Sequence, residues 1–212
     1  MLGVTDARKA RQLAEREQRI IAAARALAEK SGWESVTVRR LADAIEYSQP
    51  VLYSHFPHGR SQVVTAVALV GFDELATALS RAGSALGHDA SGEDRVRAVV
   101  TTYLEFADRH PAVYEAMFRL PIAAPFASPD TPRSLQDGFD AIVEALRALD
   151  RPPADLGTAA EVFWGSVHGV ATLQRAARFA PDHHERRINE LVRYFTGQQP
   201  TANTADTTQP SG

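Results

Sequence analysis

Residues 37–56, TVRRLADAIEYSQPVLYSHF, decide the fold that we expect for this chain. Thr37 is a favoured helix N-cap, and apolar residues follow it at helical spacing: Val38, Leu41, Ala42 and Ile45. The segment Glu46-Tyr47-Ser48 is predicted to form a turn. Pro50 is compatible with a helix because it lies in the first turn of the next one. The stretch therefore predicts two short helices joined by a tight turn.

The second of these helices has the composition of a DNA reader. Helix–turn–helix proteins place their second helix in the major groove, with its N-terminal residues against base edges. That end carries Ser48, Gln49, Pro50 and Val51. Glutamine can bond an adenine edge through two hydrogen bonds, and Pro50 and Val51 suit thymine methyl groups. Tyr53 lies four residues after Gln49 and is expected to share its exposed face.

Several neighbouring residues suit phosphate contacts. Thr37 begins a helix, where backbone amides favour an anion, and His55 is within reach of the same backbone. Arg39 fits either a phosphate contact or an ordinary solvated helix face. Tyr53 and His55 also fit plain surface positions, and Gln49 fits a phosphate or water contact as an alternative to base reading.

The spacing of apolar residues predicts an all-α chain, with about nine helices in total and no convincing strand. We expect a mobile basic arm over 1–12 and a helix–turn–helix domain over 13–59. A helical ligand-binding and dimerisation domain then covers 60–196, and a disordered tail covers 197–212. Helix boundaries are expected near Leu13 and Ser31 for the first helix, and near Asp155 and Phe179 for the penultimate one. Ser91 and Asp94 resemble a capping box.

Composition and charge agree with a soluble, cytoplasmic protein of two parts. The chain has 212 residues, no cysteine and a formal net charge of -3. Residues 1–62 hold 10 Lys+Arg against 7 Asp+Glu, whereas the remainder holds 13 against 19. A weakly basic first segment on an acidic body suits a DNA-binding protein. We expect no association with a membrane.

The first segment resembles the TetR family of transcriptional regulators. The resemblance rests on an apolar helix, Gly32, the pairs Thr37-Val38 and Leu41-Ala42, and the run from Ser48 to Phe56 that contains Leu-Tyr-x-His-Phe. Two departures stand out. Glu46 replaces the glycine usual in the turn, and His58-Gly59-Arg60-Ser61 replaces a Lys-Glu pair with one extra residue, so that Arg60 becomes the substitute phosphate contact.

This resemblance implies a homodimer that binds a palindromic operator, most simply as a repressor, and a small, mostly apolar effector that shifts the fourth helix. Candidate ligand-binding residues are the aromatic and neighbouring residues of the body: Phe72, Tyr103, Phe106, Tyr114, Met117, Phe118, Phe139, Trp164 and His168. The last two helices of the family form its dimer interface, which gives Gly165, Gly169, Leu173, Ile188 and Leu191. Core packing remains the alternative for each aromatic residue, and close packing within one subunit remains the alternative for the glycines.

Catalytic and metal-binding patterns are missing from the sequence. Gly165-Ser166-Val167-His168-Gly169 has its serine in the wrong place for a nucleophile elbow, and there is no phosphate-binding glycine loop. His183 and His184 point about 100° apart on a helix and cannot easily share one ion. We therefore predict no cofactor, no metal and no enzymatic activity. A small-molecule-binding enzyme and a helical protein-interaction module remain the rival interpretations.

Overall fold

The computed structural model describes residues 2–126 and 128–197. Its N-terminal part consists of α1 (Leu2–Ser31), a 3-10 turn (Trp33–Ser35), α2 (Val38–Ile45) and α3 (Gln49–His55). The body consists of α4 (Arg60–Ala85), α5 (Gly92–Arg109), α6 (Pro111–Phe118), α7 (Arg133–Arg147), α8 (Leu156–Arg175), a second 3-10 turn (Pro181–His183) and α9 (His184–Thr196). The prediction of an all-α fold is confirmed, with nine α-helices and no strand among the described residues.

Two helix boundaries differ from the prediction. Helix α1 begins at Leu2 rather than near Leu13, so the described part of the predicted arm is helical. Its residues 7–19 are exposed, so no apolar stripe marks this extension in the sequence. Helix α8 ends at Arg175 rather than near Phe179, because Ala177 adopts a left-handed conformation with φ 52°. The predicted tail lies outside the described residues, apart from Gly197.

Side chains cap the helices where the sequence indicated. The Thr37 hydroxyl accepts a hydrogen bond from the Arg40 amide at 3.2 Å. Ser91 and Asp94 form a complete capping box at the start of α5, and these bonds hold the pKa of Asp94 below its usual value. Such caps satisfy amides that the first helical turn leaves without partners.

Helix α4 lies at the centre of the molecule. It packs against α1 of the N-terminal part and against α5, α6 and α7 of the body. Buried residues form one continuous core that runs from Ile20 in α1 to Val192 in α9. Helix α4 is the only helix in the described ranges long and apolar enough to cross a membrane by length and composition, and half of its most apolar window is buried inside the fold.

Candidate DNA-binding surface and internal cavity

The turn between α2 and α3 depends on an unusual backbone conformation at Glu46. This residue has φ 57° and ψ 36°, in the left-handed region, and its amide bonds back to the last turn of α2. Left-handed backbone favours glycine because other residues bring their Cβ too close to the following carbonyl. The Tyr47 hydroxyl accepts a hydrogen bond from the Arg19 guanidinium at 2.9 Å, which ties the turn to α1. Glu46 thus occupies a position at which a glycine suits the turn better.

Helix α3 has one buried and one exposed face. Leu52 and Phe56 are each 2% exposed and fix the helix to the core. The opposite face presents four exposed candidates: Ser48, Gln49, Pro50 and Tyr53. The Ser48 hydroxyl makes no capping bond, and Tyr53 is 49% exposed. Val51 and His55 lie half-buried at the edges of this face. The structure therefore brings together the predicted base and phosphate contacts on α3.

The extra residue before α4 is accommodated by Gly59. Its φ of 60° and ψ of -132° belong to a region that only glycine occupies readily. A side chain there would also approach the ring of Tyr53, whose Cε1 lies 3.5 Å from the ideal Cβ position. Gly59 therefore lets α4 begin directly beneath the exposed face of α3.

Arg60 has a different environment from the one that the sequence suggests. Its Nε donates to the carbonyl of Val36 at 3.2 Å, and its Nη2 donates to the carbonyl of Trp33 at 3.0 Å. The guanidinium is half-buried and joins the start of α4 to the segment that precedes α2. Among the other candidates for phosphate contact, Thr37 and Arg39 are exposed, although the Thr37 hydroxyl is already used as a cap.

Helix α1 is joined to α6 by polar side chains. The Glu29 carboxylate accepts hydrogen bonds from the amides of Ala112 and Val113 at 3.1 and 3.3 Å, so it caps the first turn of α6. The Trp33 indole donates to the Ala112 carbonyl at 2.7 Å. One turn earlier on α1, Arg25 pairs with Glu74 of α4. The N-terminal part therefore contacts the body through two helices, α4 and α6.

An internal cavity of about 520 Å³ lies between α4, α5, α7, α8 and the loop that follows α6. Its wall is strongly aromatic: Phe72, Tyr103, Phe118, Phe126, Phe139 and Trp164. Aliphatic residues of α4 and α7 complete the apolar part: Leu75, Leu79, Leu135 and Ile142. Five polar side chains also line it, four from the loop and α7 and one from α8: Ser128, Thr131, Ser134, Gln136 and Glu161. This volume and this lining are typical of a site for a small organic ligand.

A second concavity of about 980 Å³ runs along α4, α5 and α7. It is an open groove whose wall carries many charged residues, including Asp73, Arg81, Asp140 and Glu144. Because a ligand there would remain largely in contact with water, the smaller aromatic cavity is the better candidate for a ligand site.

A chain of hydrogen bonds lies behind the aromatic wall. The Trp164 indole donates to the Tyr103 hydroxyl at 3.0 Å, and the hydroxyls of Tyr103 and Tyr114 are 3.3 Å apart. The Tyr114 hydroxyl lies 2.7 Å from His168 Nδ1, and His168 Nε2 lies 3.4 Å from the Thr172 hydroxyl. The short Tyr114 contact is best served by donation to a neutral imidazole. Each polar atom of the chain then has a partner within the protein.

Burial sets the protonation of these groups. It raises the pKa of Tyr103 well above its usual value and raises the pKa of Tyr114 to about 12. Burial also lowers the pKa of His168 below its ordinary value of 6.5. All three groups are therefore neutral at pH 7, because an apolar environment disfavours the charged form of each.

Five of the nine predicted ligand-binding residues line the cavity: Phe72, Tyr103, Phe118, Phe139 and Trp164. Tyr114 and His168 lie behind the wall and stack on each other. Met117 packs beneath Gly71, and Phe106 packs against the His110 ring on another side of α5. These four were predicted from the family resemblance and from their residue types, and they are not among the described residues that line the cavity.

Sequence reasoning missed the contribution of the loop after α6. Phe126 and Ser128 enter the wall from this proline-rich segment, and Phe126 packs edge-on against Phe72. It also missed Glu161, the only charged residue among the described residues that line the cavity. A signal for Glu161 was present, because it lies one turn before Trp164 on the same side of α8.

The predicted subunit interface is only partly exposed. Added Cβ atoms at Gly165 and Gly169 would meet nothing within 4 Å, so neither glycine serves close packing between helices of one subunit. Leu173 is 43% exposed and Leu191 is half-buried. Ile188, in contrast, is 2% exposed and belongs to the core of the subunit. Val162 and Tyr194, which were not predicted, are 53% and 73% exposed near this surface.

Comparison with known families agrees with this architecture. The family model described as "Bacterial regulatory proteins, tetR family" matches residues 20–67, which contain α2 and α3. The model described as tetracyclin repressor-like, C-terminal domain, matches residues 96–195 of the body. The chain belongs to the TetR family. Members of this family are ligand-responsive, DNA-binding regulators of transcription and are not enzymes.

Individual TetR-family relatives are distant. The transcriptional repressor KstR of Mycobacterium tuberculosis is 28% identical over 193 residues, which cover 89% of this chain and 84% of KstR. A solved protein of unknown function from Rhodococcus sp. RHA1 has 25% identity and a TM-score of 0.69, covering 85% of this chain and 93% of its own. A TetR variant from Acinetobacter baumannii AYE, solved with minocycline, shares the fold at 18% identity, with a TM-score of 0.57 and coverage of 84% and 90%.

Proposed function

We propose that this chain is a homodimeric repressor that binds a palindromic operator and releases it when a small, mostly apolar effector occupies the aromatic cavity. The observation that carries the proposal is the exposed face of α3. Ser48, Gln49, Pro50 and Tyr53 face outward while Leu52 and Phe56 hold the helix rigidly from below. A rigid helix with free polar groups at its N-terminal end is what major-groove reading requires.

Within this face, the contacts divide by chemistry. Gln49, Pro50 and Val51 are proposed to carry base choice, while Thr37, Arg39, Tyr53 and His55 position the helix on phosphates. Arg60 is proposed to act differently from the sequence expectation. Because its guanidinium already holds two backbone carbonyls, its principal role is to fix α4 to the N-terminal part.

A surface on α8 and α9 is proposed to form the dimer. Val162, Gly165, Gly169 and Leu173 recur at three- and four-residue spacing and give a strip of small and apolar residues on α8, which is exposed except at the half-buried Gly169. Tyr194 adds an exposed ring on α9. Two helices from each subunit would then pack as a four-helix interface. The two-fold axis of this interface would relate the α3 helices of the two subunits. Two helices related in this way require an operator with palindromic half-sites.

The proposed dimer surface can be tested with a single charged substitution. Val162→Glu places a carboxylate on the exposed strip without entering the core of the subunit, so the monomer should fold. Light scattering should show the wild type as a dimer and the variant as a monomer at micromolar concentration. A variant that remains a dimer would move the interface elsewhere.

The cavity is connected to the DNA-binding part through α4 and α6. Helix α4 contributes Phe72 to the cavity wall and begins at Arg60. Helix α6 contributes Phe118 at one end and is capped by Glu29 of α1 at the other. An effector that fits the cavity in only one arrangement of these helices shifts the population toward that arrangement by its differential affinity.

The DNA function is tested by selecting bound duplexes from a random pool and measuring affinity for the selected sequence against salt. A palindromic consensus and a steep salt dependence are expected. Gln49→Ala should cost about 1–3 kcal/mol on that sequence and relax base choice at one position of each half-site. Arg147→Ala, at an exposed position on α7 that lines neither cavity, is the control and should bind like the wild type. Failure to enrich any sequence would contradict the proposal.

A further inference from the structure

The chemistry of the cavity wall selects for the charge of its ligand. Among the described residues that line the cavity, Glu161 is the only charged one, and no lysine, arginine or histidine joins it. Within the described residues, Glu161 has neither an ion-pair partner nor a hydrogen-bond partner. It is exposed at the mouth of the cavity and lies on the same side of α8 as Trp164, one turn away. A ligand that enters therefore meets an uncompensated carboxylate.

The polar atoms deeper in the wall do not favour an anion either. The Trp164 indole N–H is used by the Tyr103 hydroxyl, and that hydroxyl is joined in turn to Tyr114. The rest of the described wall consists of aromatic rings, aliphatic side chains and the neutral polar groups of Ser128, Thr131, Ser134 and Gln136, with no cationic side chain. Burying a carboxylate or phosphate against such a wall without a counter-charge is costly. A cation, in contrast, is attracted by the faces of aromatic rings.

We infer that the cavity takes a lipophilic cation: an aromatic or alkyl molecule with a single positive charge, such as a quaternary ammonium or a protonated amine. The inference rests on the proposed role of this cavity as the effector site. The charged end lies near Glu161 and Trp164, and the apolar part fills the space between Phe72, Phe118 and Phe139. Carboxylates and phosphorylated compounds are disfavoured, because none of the described residues that line the cavity is cationic.

Two ions of matched shape test this assignment directly. Tetraphenylphosphonium and tetraphenylborate have the same four-ring form and opposite charge. Isothermal titration of the full chain without DNA, at low salt, should show the cation binding at least about tenfold more tightly than the anion. Higher salt should reduce this ratio, because Glu161 is exposed to screening.

Three variants locate the source of the preference. Glu161→Gln should reduce the ratio of cation affinity to anion affinity by about threefold to tenfold. Glu161→Lys should make the anion bind more tightly than the cation. Both substitutions lie at an exposed helical position, so the fold should be retained. Glu15→Gln removes the same charge from an exposed position on α1, which contributes no residue to the wall, and should leave the ratio unchanged.

Equal binding of both ions, tighter binding of the anion, or binding of neither would overturn the assignment. An unchanged ratio in Glu161→Gln would overturn the role of Glu161. The proposed regulatory function fails separately. If the cation binds with the expected preference but never changes affinity for the selected operator, the ligand class stands and the effector role is lost.

Discussion

The left-handed backbone at Glu46 gives a stability prediction with an internal control. A residue with a Cβ pays about 1–2 kcal/mol in this conformation, while glycine loses about 0.5–1 kcal/mol more backbone entropy on folding. Glu46→Gly should therefore raise the free energy of unfolding by about 0.5–1 kcal/mol. For a chain of this size, that corresponds to an increase in Tm of roughly 2 °C.

Ala177 supplies the matched control, because it also has a positive φ, at 52°, but follows α8 far from α3. Ala177→Gly should give a similar increase in stability. Glu46→Gln keeps the strained conformation and removes the charge, so its stability should stay close to that of the wild type. Urea unfolding of all four proteins at one protomer concentration provides the comparison.

DNA affinity should separate the same variants in a different way. A carboxylate about 8 Å from a phosphate in water costs about 0.5 kcal/mol, so removing it from both protomers should strengthen operator binding about fivefold at low salt. Glu46→Gly and Glu46→Gln should both show this gain, whereas Ala177→Gly should not. A Glu46→Gly variant no more stable than the wild type would refute the strain argument, and equal DNA affinity in all four would refute the charge argument.

Three further predictions follow from the packing and the buried polar groups. Gly92→Ala should lower the free energy of unfolding by about 1–3 kcal/mol, because the new Cβ would lie 2.5 Å from the Ala148 carbonyl oxygen. The control is Gly83→Ala, whose Cβ would meet no atom within 4 Å. In the same urea titration, Gly83→Ala should raise the free energy of unfolding by up to about 1 kcal/mol. Because burial lowers the pKa of His168, the folded chain takes up fewer protons than the unfolded chain below pH 6.5. The Tm should therefore fall as the pH drops from 7 to 5. His168→Gln should make the Tm depend less steeply on pH over this range. Glu29→Ala should cost about 0.5–2 kcal/mol of unfolding free energy by uncapping α6 and should speed amide exchange in its first turn; unchanged exchange there would contradict the cap.

The helix–turn–helix was predictable because its signals are local. Thr37 caps α2, Pro50 lies in the first turn of α3, and the apolar spacing that ends in Phe56 defines the buried face. The turn position occupied by Glu46 was also marked, because glycine is usual there in the family. These features depend on neighbours within a few residues, so the sequence alone specifies them.

The cavity was only partly predictable because it depends on long-range packing. Helical spacing indicates that Phe106 and Met117 face inward, but not whether they meet a cavity or a neighbouring helix. Phe126 reaches the wall from an irregular loop, for which no periodicity exists. The polarity of Tyr103 and Tyr114 suggested ligand contacts, whereas in the fold these groups first satisfy each other. The end of α8 at Arg175 was hidden because the left-handed residue that follows it, Ala177, is not a glycine.

The bonds from Glu29 and Trp33 to α6 limit how such a regulator can be recombined. A chimera that joins residues 1–59 of this chain to the body of another regulator loses the carboxylate cap of α6 and the indole bond to its Ala112 carbonyl. It also exposes a buried indole, since Trp33 is 3% exposed only because the two parts share one core. Exchange of DNA specificity in this protein is therefore better made by grafting the outer face of α3 than by swapping the whole N-terminal part.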